Sequence, residues 1–498
     1  MLTTVLILLP FAGALVVWLA PWSRLWAGAI ALLVSLLEVG VWVNAVVAFD
    51  FDESGLQEDA RLSWFSDLGV SYHVGLYGFS LWLVGATVVV MASATAYGVW
   101  AGRERARTYF GSMLFLSGAI VAVFSAQDLL LFYAAFEGML IPLYVLVGVW
   151  GGRGRQSATV KLVIYTICGS LLMLAAIVGL GLSQGTFDLV ESGTSGNEWL
   201  FLGFLAAFAV KAPLFPLHGW LPDAYREASP EVAAVLSGIV SKAAVFGLLR
   251  IVIAKFPDPV ADFRVLVLVL ASLGLVYGSL LAFRAPDVRG VIAYSSLAQM
   301  GLITLGLFSG NSAGVNGAIL QSVVHALVSA TLFLLAGGIE RRAGNGELAS
   351  LGGFAKGRPA LATLLMTTGV IALAVPGSAA FAGEFLILAG VFDRGWLWAV
   401  IGAAAIVLAA MYTLRLISAV LHDRRGAAVS EEALDLRPAE LAIVVPLVAC
   451  LLALSAWPAG VADRSLPGGD PAGGQTSPLF SEAAGGGWTA YAPLVDAP

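Results

Sequence analysis

About fourteen times this chain runs for roughly twenty residues with almost nothing that prefers water, and twenty such residues suffice to cross a bilayer as a helix. In lipid every backbone polar group must be satisfied within the protein, so a spanning segment is a helix or part of a closed barrel. With 59% hydrophobic and 12% charged residues, too little polar surface remains to solvate a water-soluble fold. The predicted spans are 2–20, 26–49, 76–100, 108–126, 128–150, 159–182, 198–222, 231–254, 264–283, 290–308, 311–340, 359–391, 396–421 and 438–457. The fold class read from them is all-α: a polytopic membrane protein of about fourteen transmembrane helices. Its first charge is Arg24, so residues 2–20 lack the positive start of a cleaved leader and read as a retained span. Cys168 and Cys450 both lie in apolar runs, and two cysteines are too few to hold an iron–sulfur cluster.

Charge placement orients the helices. Of the 26 Lys and Arg residues, 16 fall in odd-numbered loops, and five fall in even-numbered loops and the tail. Positive residues stay on the cytoplasmic side, so the odd loops face the cytoplasm and both termini face outward. The other five (Lys161, Lys211, Lys242, Arg250 and Arg415) lie within spans. The two arginines are near helix ends, where they can snorkel. Lysine is rare here, five against 21 arginines, yet three of the five are in apolar runs. It is the cation whose charge state responds to burial, whereas arginine stays charged.

Ionisable groups at membrane depth cost about 2.5–3.5 kcal/mol each on insertion scales and mark functional sites by default. Besides the lysines, the set comprises Glu38, Glu137, His325 and Glu384, with Asp128 and His218 near span ends. Glu137 in LLLFYAAFEGMLIPLYVLVG needs a cation or a proton, and Lys211 is a natural partner. At about 4 Å and an effective dielectric of about 20 the two would attract by roughly 4 kcal/mol. Separating them in a dry interior would free the lysine's proton; the alternative is a static pair that locks two helices.

Two spans carry their own interruption. In AVKAPLFPLHGWLPDA, Pro213 and Pro216 remove backbone donors beside Lys211. In AVPGSAAFAGEFLILAG, Pro376 and Gly377 precede Glu384. Broken helices in corresponding halves point to two inverted repeats with a site at mid-membrane. The predicted division is residues 1–107 (three N-terminal helices), 108–260 and 261–425 (the two repeats), 426–458 (a last helix) and 459–498, a Gly/Pro-rich irregular tail. Lined up, Glu137, Lys211, Lys242, His325 and Glu384 form a proton path, which Tyr294, Ser295, Ser296 and Gln299 could bridge. Lys161 would either repel Lys211 or snorkel outward. No clustered metal ligands, phosphate loop, dinucleotide fingerprint or nucleophile motif is present, and nothing suggests a nucleic-acid partner. The driving force therefore comes from an ion gradient or from partner subunits.

FEGMLIPLYVLVGVWG, KAPLFPLHGWLPDAYREASPEVAAVLSG, IAYSSLAQMGLI and PGSAAFAGEFLIL resemble the antiporter-like subunits of respiratory complex I, the proton-pumping NADH:quinone oxidoreductase, over roughly residues 75–420. Within them the chain is similar to the M, or chain 4, type. The sister L and N types and the Mrp-type cation/proton antiporter subunits generally carry lysine where Glu384 stands. The resemblance implies that Glu137, Lys211, Lys242, His325 and Glu384 are the proton-translocating residues; from their placement in the sequence Lys161, His218, Tyr294, Ser295 and Gln299 are read as accessories. Members often have histidine at the position of Gln299, so a direct protonic role there is not carried over. It further implies a hetero-oligomer in a bacterial inner membrane, with L-like and N-like neighbours. No cofactor is expected in this chain; flavin, iron–sulfur clusters and quinone are expected in partner subunits. The alternatives are an Mrp-type antiporter subunit and the M-like subunit of a membrane-bound hydrogenase.

Overall fold

The computed structural model describes residues 1–53, 55–65, 69–422 and 424–466. Among these, twelve helices are long and apolar enough to cross a membrane. They are α1 (Leu2–Leu19), α2 (Arg24–Ala48), α3 (Gly78–Ala101), α4 (Ala106–Ser125), α5 (Leu129–Trp150), α6 (Arg155–Gln184), α9 (Pro230–Ile253), α10 (Pro257–Arg284), α11 (Val288–Leu307), α12 (Ser312–Ala343), α15 (Trp396–Leu421) and α16 (Pro438–Ala456). The other two expected spans are divided, one into α7 (Glu198–Lys211) and α8 (Leu221–Glu227), the other into α13 (Pro359–Ala372) and α14 (Ala379–Phe392). A short α17 (Ala459–Ala462) follows α16. Most of the expected irregular tail, from 467 onward, lies outside the described residues.

The all-α expectation needs one correction. Between α2 and α3 the chain forms an antiparallel hairpin, β1 (Gln57–Phe65) and β2 (Val70–Leu76). Its inner strand is almost wholly buried and its outer strand is largely exposed. Hydropathy cannot see this element, because a half-buried strand alternates polar and apolar residues and never builds a spanning run.

Burial sorts the helices. Those of the interior, α9 and α12, are buried throughout the window that would span the bilayer, whereas α2 and α15 bury only 28% of theirs and so present apolar side chains outward. Without a hydrophobic drive between helices in lipid, small residues decide how near they come. A methyl group at Gly390 on α14 would sit 2.4 Å from the Gly314 backbone nitrogen on α12, and one at Gly317 would sit 2.7 Å from the Ile387 nitrogen. Backbones this close fix α14 against α12 and set the height of Glu384.

A buried ion pair fastens the ends of α3 and α9. Arg103 grips Glu231 through two hydrogen bonds of 2.6 and 2.7 Å, and the Tyr109 hydroxyl donates to the same carboxylate at 2.5 Å. Glu231 is completely enclosed. Breaking such a pair by removing one charge leaves the other uncompensated. Glu231→Gln is therefore expected to cost roughly 3–5 kcal/mol of stability, seen as a lower unfolding temperature of the purified assembly; an unchanged temperature would contradict it.

Candidate proton-transfer site

Both helix breaks resolve their loose backbone groups locally. α7 stops at Lys211, where Pro213 has no N–H to continue the ladder. The Ala209 carbonyl instead accepts from Leu214 N, and the Val210 carbonyl accepts from the Trp220 indole at 3.0 Å. At the second break α13 ends before Pro376 and Gly377, and Ser378 caps α14 by accepting from Phe381 N. The prolines thus stand where the sequence placed them: Pro213 is buried, whereas Pro216, Pro376 and Gly377 lie on the outside of this chain.

Lys211 is buried, and its Nζ has no hydrogen-bond partner. It lies 4.9 Å from the centre of the Phe136 ring, a cation–π contact. One oxygen of Glu137, Oε1, is likewise buried and without a partner. Glu137 acts on Lys211 electrostatically, yet no ion pair within 4 Å joins them among the described residues. This corrects the expected direct salt bridge: Phe136, adjacent to Glu137 in sequence, supplies the ring against which the ammonium packs. Phe132, Phe136, Phe208 and Phe246 interlock beside this site, with ring centres 5.8–6.3 Å apart. No hydrogen bond leads from Lys211 to Lys242 among the described residues, so the relay expected to be continuous falls into two parts.

The second part is connected. Around Lys242 the helix α9 loosens into π turns at Leu236–Val240 and Leu248–Ile253, a distortion common at functional sites. The Ser237 carbonyl accepts from the Lys242 ammonium at 2.9 Å and from Ser241 Oγ at 3.0 Å. The Leu236 carbonyl is met by the Tyr225 hydroxyl at 3.2 Å. Ser237 Oγ lies 2.9 Å from Ser296 Oγ on α11 and 2.5 Å from Ser329 Oγ on α12. Ser296 Oγ in turn lies 3.0 Å from His325 Nε2. A row of hydroxyls therefore runs from Ser329 on α12 through Ser237 on α9 and Ser296 on α11 to the imidazole, with Lys242 held beside it on the backbone carbonyl of Ser237, which accepts a hydrogen bond but does not relay a proton. Gly238 makes this approach possible: a methyl there would press on the Ala326 carbonyl at 2.9 Å.

Beyond His325 lies a cavity of about 40 Å³, lined by Ser295, Gln299, Gln321, His325, Ser329 and Tyr412 among others. That volume and polarity suit one or a few ordered waters. On its far side Gln299 Nε2 donates to Glu384 Oε1 at 2.9 Å, and Gln321 Nε2 donates to Gln299 Oε1 at 2.8 Å. Glu384 Oε2 is buried and unpartnered. Gln299 is thus an amide brace on Glu384, where the resemblance led one to look for histidine.

Several expected bridges are placed elsewhere. Tyr294 turns away from the row, its ring 5.7 Å from the Arg226 guanidinium. Ser295 donates back to the Ile292 carbonyl and contributes only to the cavity wall. Lys161 is half exposed and paired with Asp223, so it faces outward. His218 packs between Phe215 and Tyr277, with Nδ1 buried and unpartnered. Arg250 does not snorkel. It is buried and donates to Gln127 Oε1, the Tyr77 hydroxyl and the Leu189 carbonyl. Nearby, outside the spans, His73 Nδ1 meets Asp188 Oδ2 at 2.6 Å, and Lys255 donates to the Ser192 carbonyl. Burial, with Arg250 adding to it and Asp188 opposing, pushes Lys255 down to about 8. Ser237, Ser329, Gln321, Tyr225, Glu231, His73 and Asp188 were not singled out from sequence. Serine and glutamine in apolar helices are common packing residues, and only their convergence gives them away.

A polytopic helical bundle with two broken helices and a buried row of lysine, serine, histidine and glutamate defines a membrane ion-transfer subunit. The sequence profile for the transmembrane region of NADH:quinone oxidoreductase and Mrp antiporter subunits matches residues 126–410, and the chain belongs to that family. It is 36% identical to NADH-quinone oxidoreductase subunit M of Mycobacterium tuberculosis H37Rv, over 92% of each chain. It is similar in structure to a chain of respiratory complex I from Thermus thermophilus, with TM-score 0.85, 30% identity, and 94% of this chain and all of the other covered. A chain of the Mrp complex from Dietzia, 21% identical with TM-score 0.84, covering 94% of this chain and 97% of its own, shares the fold.

Proposed function

We propose that this chain is a proton-translocating membrane subunit of NADH:quinone oxidoreductase. In this reading quinone reduction in partner subunits drives protons through Glu137, Lys211, Lys242, His325 and Glu384, with flavin and iron–sulfur clusters held by those partners. The chain sits in a bacterial inner membrane with both termini outside, between L-like and N-like neighbours, and 108–260 and 261–425 act as inverted repeats. The observation that supports the transfer is the hydroxyl row from Ser237 through Ser296 to His325, with the Lys242 ammonium beside it on the Ser237 carbonyl.

In this scheme Glu137 sets the charge state of Lys211 through space. Lys242 delivers its proton by swinging its ammonium from the Ser237 carbonyl to the neighbouring hydroxyl row, His325 passes it across the cavity, and Glu384 releases it at the far end. The braces Gln299 and Gln321 line the cavity and join it to Glu384 without neutralising the carboxylate.

Removing one hydroxyl tests the row. Ser296→Ala is expected to lower proton pumping in membrane vesicles by about a hundredfold, the low end of what a positioned proton-transfer group contributes, and Ser296→Thr should restore most of it. Wild-type pumping by the alanine variant would refute the row. The redox partners are tested separately. An assembly purified in mild detergent is expected to show flavin and iron–sulfur absorbance; a pure, active assembly lacking both would instead fit a cation/proton antiporter.

A further inference from the structure

Far from the proton row, α2, α3 and α16 leave a furrow between them at membrane depth. Its volume is about 670 Å³, and its walls are almost entirely apolar: Leu36, Trp42, Ala92, Ala96, Ala442 and Cys450 are among them. At one end of the furrow stands Trp100, which also lines a second pocket of about 290 Å³ formed by Arg341, Arg342, Arg437 and Glu440. The shared tryptophan sets the two side by side, so an oily trough adjoins a basic mouth.

The charges of that mouth are not balanced. Arg342 and Glu440 satisfy each other through two hydrogen bonds of 2.8 Å. Arg341 and Arg437 are exposed and make no ion pair among the described residues. The Arg341 guanidinium lies over the Trp100 ring, 4.0 Å from its centre. Two guanidinium groups without anions, held at the end of a spanning helix beside an aromatic anchor, suit a phosphate ester. The trough below suits acyl chains, with Ser93 the one hydroxyl among its described walls.

We propose that this trough and mouth form a binding site for an anionic phospholipid, with its phosphate between Arg341 and Arg437 and its chains along α2, α3 and α16. Basic pockets between spanning helices are a recurrent means of holding such headgroups. Charge complementarity favours an anionic lipid over a neutral one, since a zwitterionic headgroup brings its own cation to the two arginines. It also favours lipid over a neighbouring apolar helix, which would bury these charges unanswered. Bound there, the lipid would tie α16, the last spanning helix, to the N-terminal bundle.

The experiment uses the intact membrane assembly with two photoreactive probes, phosphatidylglycerol and phosphatidylcholine carrying the same reactive acyl chain. Phosphatidylglycerol is expected to label peptides of α2, α3 and α16 about tenfold more than phosphatidylcholine, the order expected for two arginines acting on one anion. Arg341→Glu with Arg437→Glu should abolish the preference, and Arg341→Lys with Arg437→Lys should retain it. Ala92→Trp, which fills the trough, should remove labelling by both probes, while millimolar inorganic phosphate should displace neither. Equal labelling by the two probes, indifference to charge reversal, displacement by phosphate alone, or cross-linking of a neighbouring polypeptide in place of lipid would each overturn the proposal. The arginines and Ala92 lie outside the proton row, so loss of labelling with pumping intact separates this proposal from the functional reading.

Discussion

Replacing Lys242 by methionine is expected to abolish proton pumping while leaving the assembly intact. Methionine matches the length and apolar volume of the lysine stem and carries no titratable group. Lys242 is buried, and its charge is held only by the Ser237 carbonyl and the neighbouring Ser241 hydroxyl. Removing it therefore leaves no opposite charge stranded, unlike the Glu231 substitution, and the folded assembly should survive. Loss of a group that must carry the proton is expected to reduce pumping by about a hundredfold, read as acidification of inverted vesicles. Arginine at the same place would keep the charge and the bulk but cannot give up its proton, so Lys242→Arg should pump no better. Normal pumping by either variant would reduce the row to a packing device.

The second large effect is expected at Glu384. Glu384→Gln preserves shape and can keep accepting from Gln299 through its amide oxygen, but it can no longer take up or release a proton. Pumping should fall by about a hundredfold, with thermal stability close to that of the unaltered protein. The comparison with Gln299→Ala sharpens the test. That change removes a brace and spares the carboxylate, so pumping should fall only a few-fold, and the pH at which pumping is half-maximal should move. If Glu384→Gln pumps normally, the terminal proton acceptor lies elsewhere.

The ionisable members of the site were legible in the sequence because membrane depth makes them conspicuous: Glu137, Lys211, Lys242, His325 and Glu384 interrupt apolar runs. The breaks were legible because proline is chemically unable to continue a helix. The connection was not. Ser237 and Ser329 look like ordinary small residues of packed helices, and their meeting depends on π turns in α9 that no periodicity announces. Charge attraction alone suggested that Glu137 and Lys211 touch, and it gave no weight to the ring of Phe136 that holds the ammonium. Arg250 was misjudged for a related reason. Its nearness to a helix end said nothing about Gln127 and Tyr77, which come from distant parts of the chain. The hairpin at 57–76 escaped because a method tuned to long apolar runs ignores alternation.

The three serine hydroxyls carry one more implication. A hydroxyl that receives a proton on one side and yields one on the other ends with its O–H pointing the opposite way. In the proposed scheme each passage would leave the Ser237–Ser296 row polarised backwards, and a second proton travelling in the same direction would find no lone pair to enter by. The hydroxyls must first swing round, and Ser237, facing both Ser296 and Ser329, has a second neighbour to turn toward while doing so. Traffic along the row is thus intrinsically one at a time, with a refractory interval set by rotation about a C–O bond.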